Sequence, residues 1–260
     1  MQTTDITFDT GAATHAGKVR KRNEDSYLVQ PATGVWAVAD GMGGHEAGDV
    51  ASQTVVAALA TIVRPRSAAE LLAQCENRMV DANAQVQEIA RERGGIVMGT
   101  TVAVLLTFGG HYACVWSGDS RVYLVRGGEI AQLSRDHTQV QQLVQDGAIT
   151  VEEAKSWPGR NVITRAIGVG DDPELELESG SLKAGDVFVL CSDGLTAHVN
   201  DNEILQCVGI GRAQYVCNAL IDLTLERGAL DNVTVVVVRY QPRGSTLTGL
   251  PGLRPNPRGA

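Results

Sequence analysis

VWAVADGMGGHEAGDVAS, residues 35–52, is the stretch whose reading decides the fold. Residues 35–39 are small, apolar and partly β-branched, and the run is too short for a helix, so it reads as a buried strand. Gly41, Gly43 and Gly44 let the backbone turn sharply or approach another group closely. From about Glu46 the period changes. Val55, Leu59 and Ile62 stand at i, i+4, i+7, the spacing of an amphipathic helix. Asp40 is therefore expected at a strand end, facing the space above a sheet edge. Taken alone, the Asp-Gly step favours a turn.

Working outward, residues 5–10 and 26–30 read as short strands. Helices are expected over 46–63 and, behind an N-cap at Ser67, to about Arg91. Leu72, Cys75, Met79, Ala82, Val86 and Ile89 give the second helix one apolar face. Residues 100–108, 112–116, 122–125 and 130–133 read as strands of a meander, with Gly-Gly turns at 109–110 and 127–128. Residues 139–161 are more polar, carry a Trp-Pro-Gly break at 157–159, and read as a mobile flap. PELELES (173–179) alternates at Leu175 and Leu177 as a half-exposed strand. A buried strand at 186–191, helices at about 200–207 and 213–227, and a last strand at 233–240 complete the domain. Helices come in pairs rather than alternating with strands, which points to a layered α+β domain and not a doubly wound sheet. Residues 1–240 are expected to form this domain. The Pro/Gly-rich segment 241–260 is expected to be a disordered tail.

The 260 residues are 43% hydrophobic and 20% charged, ordinary for a globular protein with ample material for a core. A formal net charge of −8 without a basic stripe disfavours a nucleic-acid partner. It also means that a phosphate-bearing ligand needs local cations. Cys75, Cys114, Cys191, Cys207 and Cys217 are odd in number and lack CxxC spacing, as expected of reduced thiols in a cytoplasmic protein. No signal-peptide pattern and no apolar run of membrane-spanning length is seen.

The acids fall at recurring positions. FVLCSDGL (188–195) repeats the device of residues 35–42: an apolar strand, a small residue, then Asp-Gly. Asp231-Asn232 precedes VTVVVV, Glu24-Asp25 precedes SYLVQ, and Asp119 interrupts two strands in VWSGDSRVYLV. Singly, Glu24-Asp25 reads as a solvated turn, Asp231-Asn232 as a cap or turn, and Asp119 equally as a turn or a functional acid. Jointly, acids at the ends of apolar strands repel one another unless a cation neutralises them. Oxygen ligands without paired Cys or His select Mg²⁺ or Mn²⁺ over zinc. Rival chemistries lack their residues. No cysteine has an arginine six positions on, and GxxxxGK[ST], GxSxG and HExxH are all absent.

KVRKRNEDS, VADGMGGHEAG, GTT, SGDSRVYLVRGG, RDHT, ITRAIG, LCSDGL and DNVTVVVV, in this order over residues 5 to 240, resemble the metal-dependent serine/threonine protein phosphatases. This is the PPM or type 2C family, in its bacterial single-domain form. The resemblance implies a four-layer α-β-β-α sandwich, two antiparallel sheets flanked by antiparallel helix pairs, with metals at one end. It implies that Asp40 bridges two Mn²⁺ or Mg²⁺ ions, with the Gly41 carbonyl on one and Asp193 and Asp231 on the other. By the same resemblance Glu24 acts near the Gly41-bound ion, Arg20 binds phosphate, and Asp119 holds a third, looser ion. The implied reaction is attack on phosphorus by metal-activated water, without a phosphoenzyme, Arg20, Asp40, Asp193 and Asp231 being catalytic. Where some members carry histidine after Asp-Gly, this chain has Met42, which leaves the proton donor between His45 and metal-bound water. Implied partners are phosphorylated proteins and a Ser/Thr kinase, with no nucleic acid and no membrane, for a cytoplasmic monomer. The alternative is a catalytically silent phosphoprotein-binding module of the same fold. The intact acid set and Arg20 argue against that alternative, and against a phosphatase of an anti-sigma-type switch.

Overall fold

The computed structural model describes residues 6–43, 47–154 and 156–242. Along the chain, β1 (Ile6–His15), β2 (Asp25–Gln30) and β3 (Val35–Gly43) precede α1 (Gly48–Ala60) and α2 (Ala68–Glu92). Then come β4 (Met98–Thr100), β5 (Val102–Phe108), β6 (His111–Ser117), β7 (Arg121–Arg126) and β8 (Glu129–Gln132). Short helices α3 (Gln139–Gln145) and α4 (Val151–Ala154) occupy the region read as a flap. β9 (Glu176–Ser181), β10 (Val187–Cys191), α5 (Asp193–Thr196), α6 (Asp201–Val208), α7 (Ala213–Glu226) and β11 (Val233–Pro242) close the fold.

The strands form two antiparallel sheets, ordered β1-β11-β10-β7-β8 and β2-β3-β5-β6-β9, with β4 paired to β3. Alternation along the strands sorts their side chains into three cores. Val35, Ala37 and Ala39 of β3 face Val55, Leu59, Cys75 and Met79 of α1 and α2. Trp36 and Val38, one residue out of phase, join Leu105, Phe188, Leu190 and Val236 between the two sheets. Val189, Val235 and Val237 face Val216, Cys217 and Leu220 of α7. The result is the expected four-layer α-β-β-α sandwich.

Some expectations change. The strand containing Asp40 does not end there but runs on through Gly43, paired with β4 across Gly41↔Thr100. Main-chain pairing absorbs the Asp-Gly step that local sequence reads as a turn. The meander also breaks. β6 pairs with β5 and β9, while β7 pairs with β10 and β8, so the chain changes sheets at Gly118-Asp119. The last strand reaches Pro242, beyond the expected boundary at 240, and residues 243–260 of the expected tail lie outside the described residues.

Candidate active site

Strand parity places the acids. On β3, Asp40 follows Trp36 and Val38 at i, i+2, i+4, so it continues the face directed between the sheets. In the β2–β3 register Asp25 stands directly opposite Asp40. Asp25 is buried, and its Oδ2 accepts hydrogen bonds from Ser192 Oγ at 2.8 Å and Thr234 Oγ1 at 2.7 Å, both from the other sheet's side of the sandwich. Its Oδ1 is buried without a partner. One carboxylate thus ties the two halves together beneath the site.

Asp193 is the first residue of α5, set by the end of β10, and Gly194 packs so closely that an added Cβ would lie 1.8 Å from the Asn232 carbonyl. Asp231 precedes β11, and its Oδ2 meets Arg20 Nη2 at 2.8 Å. Asn232 binds the segment before β2: its Nδ2 donates to the carbonyls of Ala16 at 2.9 Å and Arg22 at 2.8 Å, and its Oδ1 accepts from Glu24 N at 2.8 Å. The Glu24 carboxylate faces the start of α1, a helix end with no side-chain cap, so closely that a Cβ on Gly48 would lie 2.8 Å from Glu24 Oε1. Gly41 sits between these pieces, where a Cβ would come within 2.0 Å of the Gly48 carbonyl and 2.7 Å of the Glu24 carbonyl.

Asp119 is buried in the loop that changes sheets. Three contacts hold that loop. Gly118 N donates to His137 Nδ1 at 3.2 Å, Ser120 Oγ bonds Thr101 Oγ1 at 2.7 Å, and Arg121 forks onto Asp136 at 2.6–3.1 Å.

These elements bring Arg20, Glu24, Asp40, Gly41, Met42, Asp119, Asp193 and Asp231 to one cavity of about 240 Å³. Every candidate metal- or phosphate-binding residue named from the sequence lines it. His45 lies outside the described residues. A neighbouring cavity of about 330 Å³ shares Asp119, Asn161 and Asp193 and is bounded by Val140, Gln141 and Ala154, so the flap region borders the site.

The electrostatics are those of an uncompensated acid cluster. Burial, then Asp25, Asp193, Asp119 and Asp231, push the Asp40 carboxyl well above the usual range. Burial raises Asp25 to about 7 against the opposing hydrogen bonds from Thr234 and Ser192. Burial and then Asp193 raise Asp119 to about 7. Asp193 is raised by burial and Asp231, and a hydrogen bond with Asp40 works the other way. Burial also raises Glu24. Among the described lining residues, Arg20 supplies the only guanidinium.

The donor set suits a hard divalent cation: carboxylates, with no His or Cys among the described lining residues. As they stand, no three acidic, His or Cys side chains form a metal cage among the described residues. Asp231 is turned to Arg20, at 2.8 Å. The fit therefore rests on donor chemistry and on the mutual repulsion a cation would relieve, with small side-chain rotations required.

Asp25, Ser192, Thr234, Asn232 and His137 have no role assigned by the sequence reading. Asp25 is visible there only as half of an ambiguous acidic pair. Its distinguishing signal is the hydroxyl-bearing Ser192 and Thr234 beside Asp193 and Asp231, and that link exists only once the sheets pack.

The family model described as Protein phosphatase 2C matches residues 14–219. The serine/threonine protein phosphatase PstP of Mycobacterium tuberculosis is 43% identical over 227 residues, covering 87% of this chain and 44% of PstP. The chain thus spans less than half the length of that relative. Protein phosphatase PhpP of Streptococcus pneumoniae is 32% identical over 233 residues, covering 86% of this chain and 94% of PhpP. The crystal structure of the PstP catalytic domain in complex with two manganese ions superposes with a TM-score of 0.83 at 39% identity. It covers 91% of this chain and 99% of that one.

Proposed function

The chain belongs to the protein phosphatase 2C family, and on that premise we propose that it hydrolyses phosphoserine and phosphothreonine in proteins at a centre of two Mn²⁺ or Mg²⁺ ions. The observation that carries this reading is the convergence of Glu24, Asp40, Asp119, Asp193, Asp231 and Arg20 on one cavity. Asp40, the Gly41 carbonyl, Asp193 and Asp231 would hold the pair of ions, Glu24 would act beside them, and Asp119 would hold a third. When bound, such ions acidify water and neutralise charge on the phosphoryl oxygens.

The remaining work falls to the chain itself. Arg20 offers a planar fork of N–H donors to phosphoryl oxygens. Its present partner, Asp231, keeps the guanidinium at the cavity mouth. Asp25 fixes β2 against both Ser192 and Thr234, so Glu24, Asp40, Asp193 and Asp231 keep their mutual spacing. No cysteine is among the described residues lining the cavity, which removes a thiolate nucleophile, and on this reading water attacks the phosphorus. Met42 has no ionisable hydrogen, so the leaving alkoxide would take its proton from His45, which lies outside the described residues, or from water.

Among the described residues no helix is long and apolar enough to cross a membrane. Phosphorylated proteins made by a Ser/Thr kinase in the same compartment are the natural substrates of this chemistry, acted on by a cytoplasmic monomer.

The deciding experiment follows release of phosphate from a phosphothreonine peptide with Mn²⁺, with EDTA, and for Asp193→Asn in Mn²⁺. Metal-dependent turnover that falls at least about a hundredfold in the variant is expected. A wild-type protein inert with Mn²⁺ and Mg²⁺ across several phosphopeptides would instead favour a phosphoprotein-binding module.

A further inference from the structure

The segment 18–22, Lys-Val-Arg-Lys-Arg, concentrates four cations in five residues of a chain whose net charge is −8. All five residues are exposed. Of these, Arg20 alone is among the described residues lining the cavity. Lys18 and Lys21 have no ion-pair partner among the described residues.

The segment is also held in place. Gly17, at φ +77°, packs where a Cβ would lie 2.3 Å from the Asp231 carbonyl. Lys18 N donates to Ala229 O at 2.8 Å, Arg20 pairs with Asp231, and Asn232 takes the carbonyls of Ala16 and Arg22. A run of like charges on a free loop would spread out. This one is fastened at both ends and in the middle to the strand that follows Asp231 and the turn leading into it.

We propose that Lys18 and Lys21 form a recognition edge for negative charge flanking the phosphorylated residue, so that acidic or multiply phosphorylated segments are the preferred substrates. This inference rests on the phosphatase reading above. Consecutive Cα atoms are about 3.8 Å apart, so the turn over residues 17–19 and the bend at 21–22 keep the Lys21 and Lys18 backbones within about 4 and 8 Å of Arg20, and with a phosphoryl group at Arg20 their long side chains reach charge one or two residues from the phosphoamino acid. That separation is within the Debye length of roughly 8 Å at physiological salt. The cations also offset the repulsion that an acidic protein exerts on an acidic peptide.

The test compares phosphothreonine peptides flanked by Asp, by a second phosphothreonine, by Ala or by Lys, using wild type and the double variant Lys18→Glu/Lys21→Glu, with p-nitrophenyl phosphate as a substrate lacking flanks. Wild type is expected to favour Asp-flanked over Lys-flanked peptide in kcat/KM by about three- to ten-fold at low salt, the preference shrinking as NaCl is added. The double variant is expected to lose or reverse that order while its melting temperature and its turnover of p-nitrophenyl phosphate stay at the wild-type level. The two anionic flanks separate a carboxylate preference from a phosphate preference, and either supports the inference.

Three outcomes for the charge-reversed variant overturn it. One is a flank preference that survives the charge reversal. Another is a parallel fall on all substrates, including p-nitrophenyl phosphate. The third is binding to phosphatidylglycerol vesicles that vanishes in the variant while peptide preference is unmoved, which would make the edge a membrane contact. Wild type that turns over the flankless substrate but ignores flanks sinks only this inference. Wild type that turns over nothing sinks the phosphatase reading with it.

Discussion

Asp25 and Asp40 face each other across a strand pair, an arrangement that like charges disfavour. With divalent metal removed, both carboxyls hold protons at higher pH in the folded chain than in the unfolded one. Between the unfolded carboxylate range near 4 and the folded value of about 7 for Asp25, the folded state binds more protons, so stability falls as pH rises through that window. EDTA-treated protein is thus expected to melt at a higher temperature at about pH 5.5 than at about pH 8, and Mn²⁺ to raise the higher-pH value most. Equal melting at both pH values in EDTA would contradict this. Ser192→Ala removes a hydroxyl that donates to Asp25 and accepts from Thr234 N, and should cost about 1–3 kcal/mol in urea unfolding. Asp40, Asp119, Asp193 and Asp231 stand out in the sequence because each lies beside or between apolar strands, and Glu24 is singled out only by the family resemblance. Asp25 does not stand out, because its partners lie 167 and 209 residues away.

Among the elements, α2 was the most legible. Its buried stripe runs from Leu71 to Val86, and Ser67 caps it by accepting from Glu70 N at 3.1 Å. Ser67→Ala should lower stability by about 1 kcal/mol, read as a shift in denaturant midpoint at constant slope. β3 was misread at its end for a physical reason. Asp-Gly favours a turn locally, yet pairing with β4 extends the strand, and Gly41 is needed there for close approach rather than for turning. Gly41→Ala should accordingly abolish detectable turnover and lower the melting temperature together, since the Cβ meets backbone that cannot move aside. A normal variant would show that the α1 start can shift. The sheet change at Gly118-Asp119 was hidden because a hairpin turn and a crossing loop use the same residues. Only non-local pairing tells them apart.

For the whole molecule, helices that come in pairs announced the layers, and strand parity sorted the three cores. The inter-sheet core is built on Trp36, Tyr112, Phe188 and Leu105, with Tyr112 and Phe188 edge to face at 5.0 Å. Phe188→Ala should destabilise by about 3–5 kcal/mol in equilibrium unfolding, because both sheets lose contacts at once. The same layer carries Asp40 and Asp25 at its end, so its loss should also weaken Mn²⁺ binding measured by calorimetry. An unchanged binding isotherm would mean the site is held from its own loops.

The pairing of β1 with β11 joins Ile6 to Pro242 and His15 to Val233 along their full lengths. During synthesis the first strand emerges early and waits, its hydrogen-bonding edge open, until the last is made. At about 5–20 residues per second that interval lasts tens of seconds. The helix-covered half built on β2, β3, β5 and β6 has most of its partners in hand by then, whereas Ser192, Asp193, Asp231 and Thr234 arrive only with the late segments. A nascent chain therefore has most of one sheet in hand before the segments that complete the acid cluster arrive, and the acids on that half spend the wait without the partners that hold them. High contact order of this kind predicts slow folding, and it makes the final strand the step that both closes the sheet and completes the acid cluster.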